Sequence, residues 1–141
     1  MLKQEQIKAF KSFLNHENGS DRNAQLLAIH LNWELKNFNE NSRLEQHIQI
    51  ILNLFRSLNS SDVFEKTYTR QLAMRLLSKS GYDLNLEKRS AAAFKNECGE
   101  SFSTLTELMF SSTSESEGLN ETFKACTSKL PAMEFNFKVL E

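Results

Sequence analysis

The stretch 62–77, DVFEKTYTRQLAMRLL, constrains the chain more than any other. Phe64, Tyr68, Leu72 and Leu76 recur every fourth residue, with Val63, Ala73 and Leu77 widening the stripe and Glu65, Lys66, Thr69 and Arg70 on the other side. That spacing predicts a helix with one buried face. Asp62, followed three residues later by Glu65, has the residue types of a capping box and marks the expected start.

Around this helix the chain reads as further helices. Ile7, Phe10 and Phe13 or Leu14 predict a short amphipathic helix over 2–14, and Asn18-Gly19 a turn. In QLLAIHLNWELK the residues Leu26, Leu27, Ile29, Leu31, Trp33 and Leu35 surround most of the circumference, so this helix is expected at the centre of its bundle. Ser42 and Glu45 suggest a capping box before Leu44, Ile48, Ile51, Leu52, Phe55 and Leu58. The connection 59–61 is short enough to force this helix and the next to fold back antiparallel or bend sharply.

Beyond Leu77, Gly81 suggests a helix end and Asp83 a cap for a helix carrying Leu86, Ser90, Ala93, Phe94 and Glu97 or Cys98, closed by Gly99. A shorter helix over 102–110 carries Phe102, Leu105, Leu108 and Met109. The Ser/Glu-rich run 111–118 is expected to be a mobile loop, read either as a flexible linker or as a phosphorylated, regulated segment. Leu119, Phe123 and Cys126 define a last helix, ended by Pro131. Met133, Phe135, Phe137 and Val139 then alternate with polar residues, the period of a half-buried strand. The expected organisation is a mainly α, antiparallel helical bundle over 1–131, followed by 132–141 as the first strand of a sheet the chain does not complete.

Composition narrows the function classes. With 17 basic and 18 acidic residues the net charge is -1, which supplies no electrostatic argument for nucleic acid or an anionic membrane. No apolar run is long enough to span a bilayer, and MLKQEQIKAF lacks the apolar core of a signal peptide. Cys98 and Cys126 form no C-x-x-C pair and read as small core residues in a reducing cytoplasmic or nuclear compartment. His16, His30 and His47 show no ligand spacing, so no metal is expected. No phosphate loop, nucleophile motif or carboxylate pair suggests catalysis or a cofactor. Arg70, Arg75 and Arg89 read as helix-surface ions.

The letters of 62–77 carry a resemblance that periodicity does not. Asp62, Val63, Phe64, Glu65, Tyr68, Leu72, Ala73, Arg75, Leu76 and Leu77 match a segment that resembles the D-V-F-E-x-x-Y-x-x-x-L-A-x-R-L-L run of cullins. Phe13-Leu14-Asn15, Gln25-Leu26-Leu27-Ala28 and Leu54-Phe55-Arg56 are similar to family tripeptides and tetrapeptides upstream. Glu97-Cys98-Gly99, Phe102, Met109-Phe110 and Leu119-Asn120-Glu121 continue the likeness downstream, and Glu134-Phe135-Asn136-Phe137 looks like the strand opening the cullin α/β subdomain. Thr67, Met74, Ser112, the pair Leu105-Thr106 and Asn32 depart from the pattern.

The resemblance implies a non-catalytic, rigid scaffold segment of a cullin-RING ubiquitin ligase. Such a segment spaces a substrate adaptor from the RING and E2 end and so supports ubiquitin-dependent protein catabolism. It implies protein partners only (a RING-box subunit, an adaptor and regulators), mostly gripped by regions that would lie before Met1 or after Glu141. Two other readings stay open: the cullin-like subunit of the anaphase-promoting complex, and a free-standing helical interaction module unrelated to ubiquitin.

Overall fold

The computed structural model describes residues 2–16, 19–37, 43–78, 82–127 and 138–140. Among them are six helices: α1 (Leu2–Leu14), α2 (Gly19–Lys36), α3 (Leu44–Phe55), α4 (Ser61–Leu77), α5 (Leu84–Lys95) and α6 (Glu100–Thr127). Contacts at their ends fix the helix directions. Ser60 hydrogen-bonds Ser20 and Asp21, while Arg75 reaches Asn32, so α2 and α4 run side by side in the same sense. His47 meets Glu34 and reverses α3 against α2. Arg75 meets Glu87 while Tyr68 meets Phe94, which makes α5 antiparallel to α4.

The bundle therefore alternates direction from α2 to α5, as expected, but the partner along α4 is α2 rather than α3. The tight α3–α4 connection places those two helices diagonally, in contact where the Phe55 and Phe64 rings meet at a tilt, 4.9 Å between centres. The core runs through Leu31, Ile51, Phe64, Tyr68, Leu72, Leu76 and Phe94. Close-packed interiors of such side chains deform little.

Several local expectations are corrected. Asp62 does not cap α4: the N-cap is Ser60, with no side-chain cap bond, and Asp62 lies in the first turn. The N-cap of α3 is Arg43, again without a side-chain bond, and Ser42 lies outside the described residues. Asp83 does cap α5, its Oδ1 accepting from the amides of Asn85 at 2.9 Å and Leu86 at 3.2 Å. α2 is not apolar-packed all round, because Leu26, Ile29 and Trp33 face solvent while Ala24, Ala28, Leu31 and Leu35 face inward. The apolar side of α1 is also turned outward, with Ile7, Phe10 and Phe13 exposed.

The run 111–118 is not a loop. It continues α6, which also absorbs the two shorter helices expected on either side of it. Thr113 and Ser114 return their hydroxyls to the carbonyls of Met109 and Phe110, at 2.8 and 3.1 Å, and Thr113 and Ser116 are buried. A hydroxyl satisfied by the preceding turn enters the interior at little cost, which is why a polar run remains helical. The expected strand residues 133–137, Gly81 and Pro131 lie outside the described residues. Residues 138–140 form no strand but dock on the bundle through Lys138 and Val139.

Candidate functional site

In this helical block the candidate site is the set of interactions that locks the helices together. Its centre is aromatic. Phe64 touches Phe55 at 4.9 Å and Phe94 at 5.2 Å, Tyr68 stacks on Phe64 at 6.1 Å, and Tyr68 reaches Phe102 at 5.5 Å. These tilted, stacked and edge contacts are the arrangements ring quadrupoles favour. One cluster thus joins α3, α4, α5 and α6.

Beside it lies a buried polar hub. Arg75 donates from Nε to Glu87 Oε1 at 2.5 Å, from Nη2 to Glu87 Oε2 at 2.8 Å, and from Nη1 to Asn32 Oδ1 at 2.7 Å. Its guanidinium also lies 5.7 Å from the Tyr68 ring centre. The bidentate fork fills both carboxylate oxygens, as a desolvated ion pair requires. Arg75 is thus no surface ion: α2, α4 and α5 meet at its head group. Asn32, a position where the resemblance leads one to expect Asp, supplies a neutral acceptor.

Tyr68 feels this setting. Burial pushes its phenol up to about 12 and the Glu87 carboxylate adds to the rise, while the neighbouring Ser90 and the Arg75 charge oppose it. Ser90 influences the phenol without a hydrogen bond of ordinary geometry.

A second knot ties the α1–α2 junction to the α3–α4 junction. Asn15 Nδ2 donates to the carbonyls of Lys11 and Ser57, both at 2.8 Å, while its Oδ1 accepts from Asn59 N at 2.8 Å and Ser20 Oγ at 2.9 Å. All four hydrogen-bonding positions of the amide are used. At the opposite end, Lys138 Nζ donates to the carbonyls of Leu76 at 3.0 Å and Ser78 at 2.8 Å, and sits 4.7 Å from the Tyr82 ring centre. A cation at the end of α4 complements the helix dipole. Val139 exchanges backbone bonds with Ser116 Oγ at 3.1 and 3.2 Å, so the tail crosses from α4 to α6.

The motif residues separate by role. Phe64, Tyr68, Leu72, Arg75, Leu76, Cys98, Phe102, Met109 and Phe110 are buried together, Val63 and Ala73 pack at the margin, and Asp62 and Gly99 are exposed. Gly99 lies immediately before α6 rather than closing α5, which ends at Lys95. Thr106 is buried and Leu105 exposed, so the departure at that pair puts a hydroxyl inside, where the Phe102 and Ser103 carbonyls, both at 3.0 Å, accept its bond.

Cys98 is buried; that burial, with Glu65 beside it, pushes its thiol up to about 12. Cys126 is exposed, against the expectation of a core residue. His30 and His47 both approach Glu34, at 3.6 and 3.0 Å. Among the described residues no group of three or more His, Cys, Asp or Glu side chains is arranged to hold a metal ion. No helix among them is long and apolar enough to cross a membrane.

Sequence reasoning missed Glu87, Asn32 and Asn15 as structural partners. Asn15 had a faint signal, since it sits inside one of the matched tripeptides. Glu87 had none, because a carboxylate in the first turn of α5 reads as dipole compensation.

Comparison with known proteins gives a consistent result. Residues 2–120 match the family model described as the cullin alpha solenoid domain. The chain is 33% identical over 133 residues to Cullin-4 of Caenorhabditis elegans, covering 92% of this chain and 16% of that protein. It is 32% identical over 119 residues to human Cullin-4A, covering 82% of this chain and 15% of that protein. It is 33% identical over 100 residues to Cullin-3 of Schizosaccharomyces pombe, covering 69% of this chain and 13% of that protein. The chain thus spans 16% or less of the length of these relatives.

Proposed function

Because the chain belongs to the cullin family, we propose that it is a non-catalytic spacer of a cullin-type ubiquitin ligase, holding an adaptor-bound substrate at a set distance from the ubiquitin-charged enzyme. The observation that carries this is the continuous buried cluster from Phe55 through Phe64, Tyr68 and Phe94 to Phe102, which joins four helices into one block. A spacer contributes by positioning: misplacement of reacting groups by a fraction of a helix turn is costly to rate. A close-packed interior resists such displacement. The partners are proteins, namely an adaptor, a RING-box subunit and their regulators. The proposed compartment is the cytoplasm or nucleus, where Cys98 and Cys126 remain free thiols.

A chimera tests this. Residues 2–120 replace the matched segment of the Caenorhabditis elegans Cullin-4, and ubiquitin transfer to a bound substrate is measured after assembly with adaptor and RING subunit. The expected result is transfer close to the parent's, lost when Phe64 and Phe94 are both changed to Ala. A folded chimera that assembles but transfers no ubiquitin overturns the proposal.

A further inference from the structure

The serine-rich part of α6 presents its hydroxyls unequally. Thr113 and Ser116 are 4% and 3% exposed and are engaged by Met109 and Val139, whereas Ser111 and Ser114 face solvent and Ser112 is half-buried. Ser114 opens the tetrad Ser114-Glu115-Ser116-Glu117, with carboxylates one and three residues on. That pattern complements the basic substrate groove of an acidophilic serine kinase, which reads carboxylates through charge-assisted bonds. Ser112 has no carboxylate at the next position, its nearest following ones being Glu115 and Glu117, three and five residues on.

The opposite wall supplies the cation. Between α5 and α6 runs a groove of about 480 Å³, lined by Lys88 and Lys95 on one helix and by Glu107, Ser111 and Ser114 on the other. Lys95 is engaged by Glu107 at 3.0 Å. Tyr82, just before α5, hydrogen-bonds Glu117 late in α6 while Lys95 meets Glu107, so the two helices are antiparallel and Lys88 falls at the end of the groove that holds Ser111 and Ser114. Among the described residues Lys88 has no ion pair.

From this placement we infer that Ser114 is a phosphorylation site for an acidophilic serine kinase, and that its phosphate is held by Lys88 across the α5–α6 groove. The kinase transfers the γ-phosphoryl group of ATP to Ser114 Oγ. The Oγ–P bond forms, the bond from γ-phosphorus to the ADP oxygen breaks, and the hydroxyl proton passes to the kinase's base. The native structure gives up the 3.1 Å bond from Ser114 to the Phe110 carbonyl. Ser, Thr and Gly are weak helix formers, so the turn around Ser114 opens to the enzyme more readily than the rest of α6. Once in place, the phosphate adds a second staple beside Lys95–Glu107.

The test uses the whole chain, a recombinant acidophilic serine kinase and Mg-ATP, with the site mapped by tandem mass spectrometry. Labelling at Ser114, abolished in Ser114→Ala, supports the inference. Labelling unchanged in Ser114→Ala overturns it, as does a folded chain that stays unlabelled while a peptide of residues 108–120 is labelled. Phosphorus NMR titration of the labelled protein then reads the cation. Lys88→Gln is expected to accept the phosphate and to raise its second pKa, and coincident titration curves overturn the assignment of Lys88.

Discussion

Arg75 and Glu87, 12 positions apart on neighbouring helices, are joined by two hydrogen bonds of 2.5 and 2.8 Å with 3% of each side chain exposed. Removing one partner strands a charge in a desolvated site. Arg75→Met is therefore expected to lower unfolding free energy by about 3–5 kcal/mol, while Arg75→Met combined with Glu87→Leu recovers much of the loss. Urea unfolding of the two variants checks this, and a single variant as stable as the parent would contradict it.

Asn15 closes four hydrogen bonds, two of them, with Ser57 and Asn59, joining chain segments 42 and 44 positions apart. Truncation to Ala leaves partly buried groups unmatched and is expected to cost about 1–3 kcal/mol. The Asn37 side chain makes a single exposed bond, to the Trp33 carbonyl, and Asn37→Ala is expected to change stability by no more than about 0.5 kcal/mol. Thermal denaturation of the two variants, compared side by side, reads the difference.

Alkali should weaken the fold in a defined window. Tyr68 titrates near 12 in the folded chain against an ordinary 10, so above pH 10 the unfolded chain releases a proton that the folded chain keeps. The protonated phenol's contribution is whole below pH 10 and is lost as pH rises through about 12. Cys98 behaves alike from its ordinary 9 to about 12. Stability measured between pH 9 and 12 is expected to fall, and Tyr68→Phe to flatten the part of that fall above pH 10.

The two thiols should differ in reactivity. Cys126 is exposed and is expected to react with an aromatic disulfide reagent at the rate of a free thiol. Cys98, buried and held protonated, is expected to react only as fast as the bundle opens. Equal rates for the two in the native protein would refute the burial of Cys98.

Capping separates two aspartates that look alike in sequence. Asp83→Ala removes a side chain bonded to two first-turn amides and is expected to cost about 1 kcal/mol. Asp62→Ala removes an exposed carboxylate inside the first turn of α4 and is expected to cost no more than about 0.5 kcal/mol. Melting curves of both variants decide whether the cap or the family motif governs.

What the sequence determined alone is what short-range geometry dictates. The stripe of Phe64, Tyr68, Leu72 and Leu76 lies on one side of a helix whatever packs on it, and Asp83 caps α5 because its carboxylate reaches amides two and three residues on. Tertiary structure decided which polar groups went inside. Arg75 shares its helix with Arg70, yet only Arg75 is buried, because Glu87 and Asn32 arrive from other helices to satisfy it. Thr113 and Ser116 belong to a run that reads as a loop, yet they are interior residues of α6, Thr113 bonded to the Met109 carbonyl and Ser116 to Val139 of the tail. Periodicity is written in consecutive residues, whereas the desolvation of a polar group depends on partners that meet it only after the chain has folded.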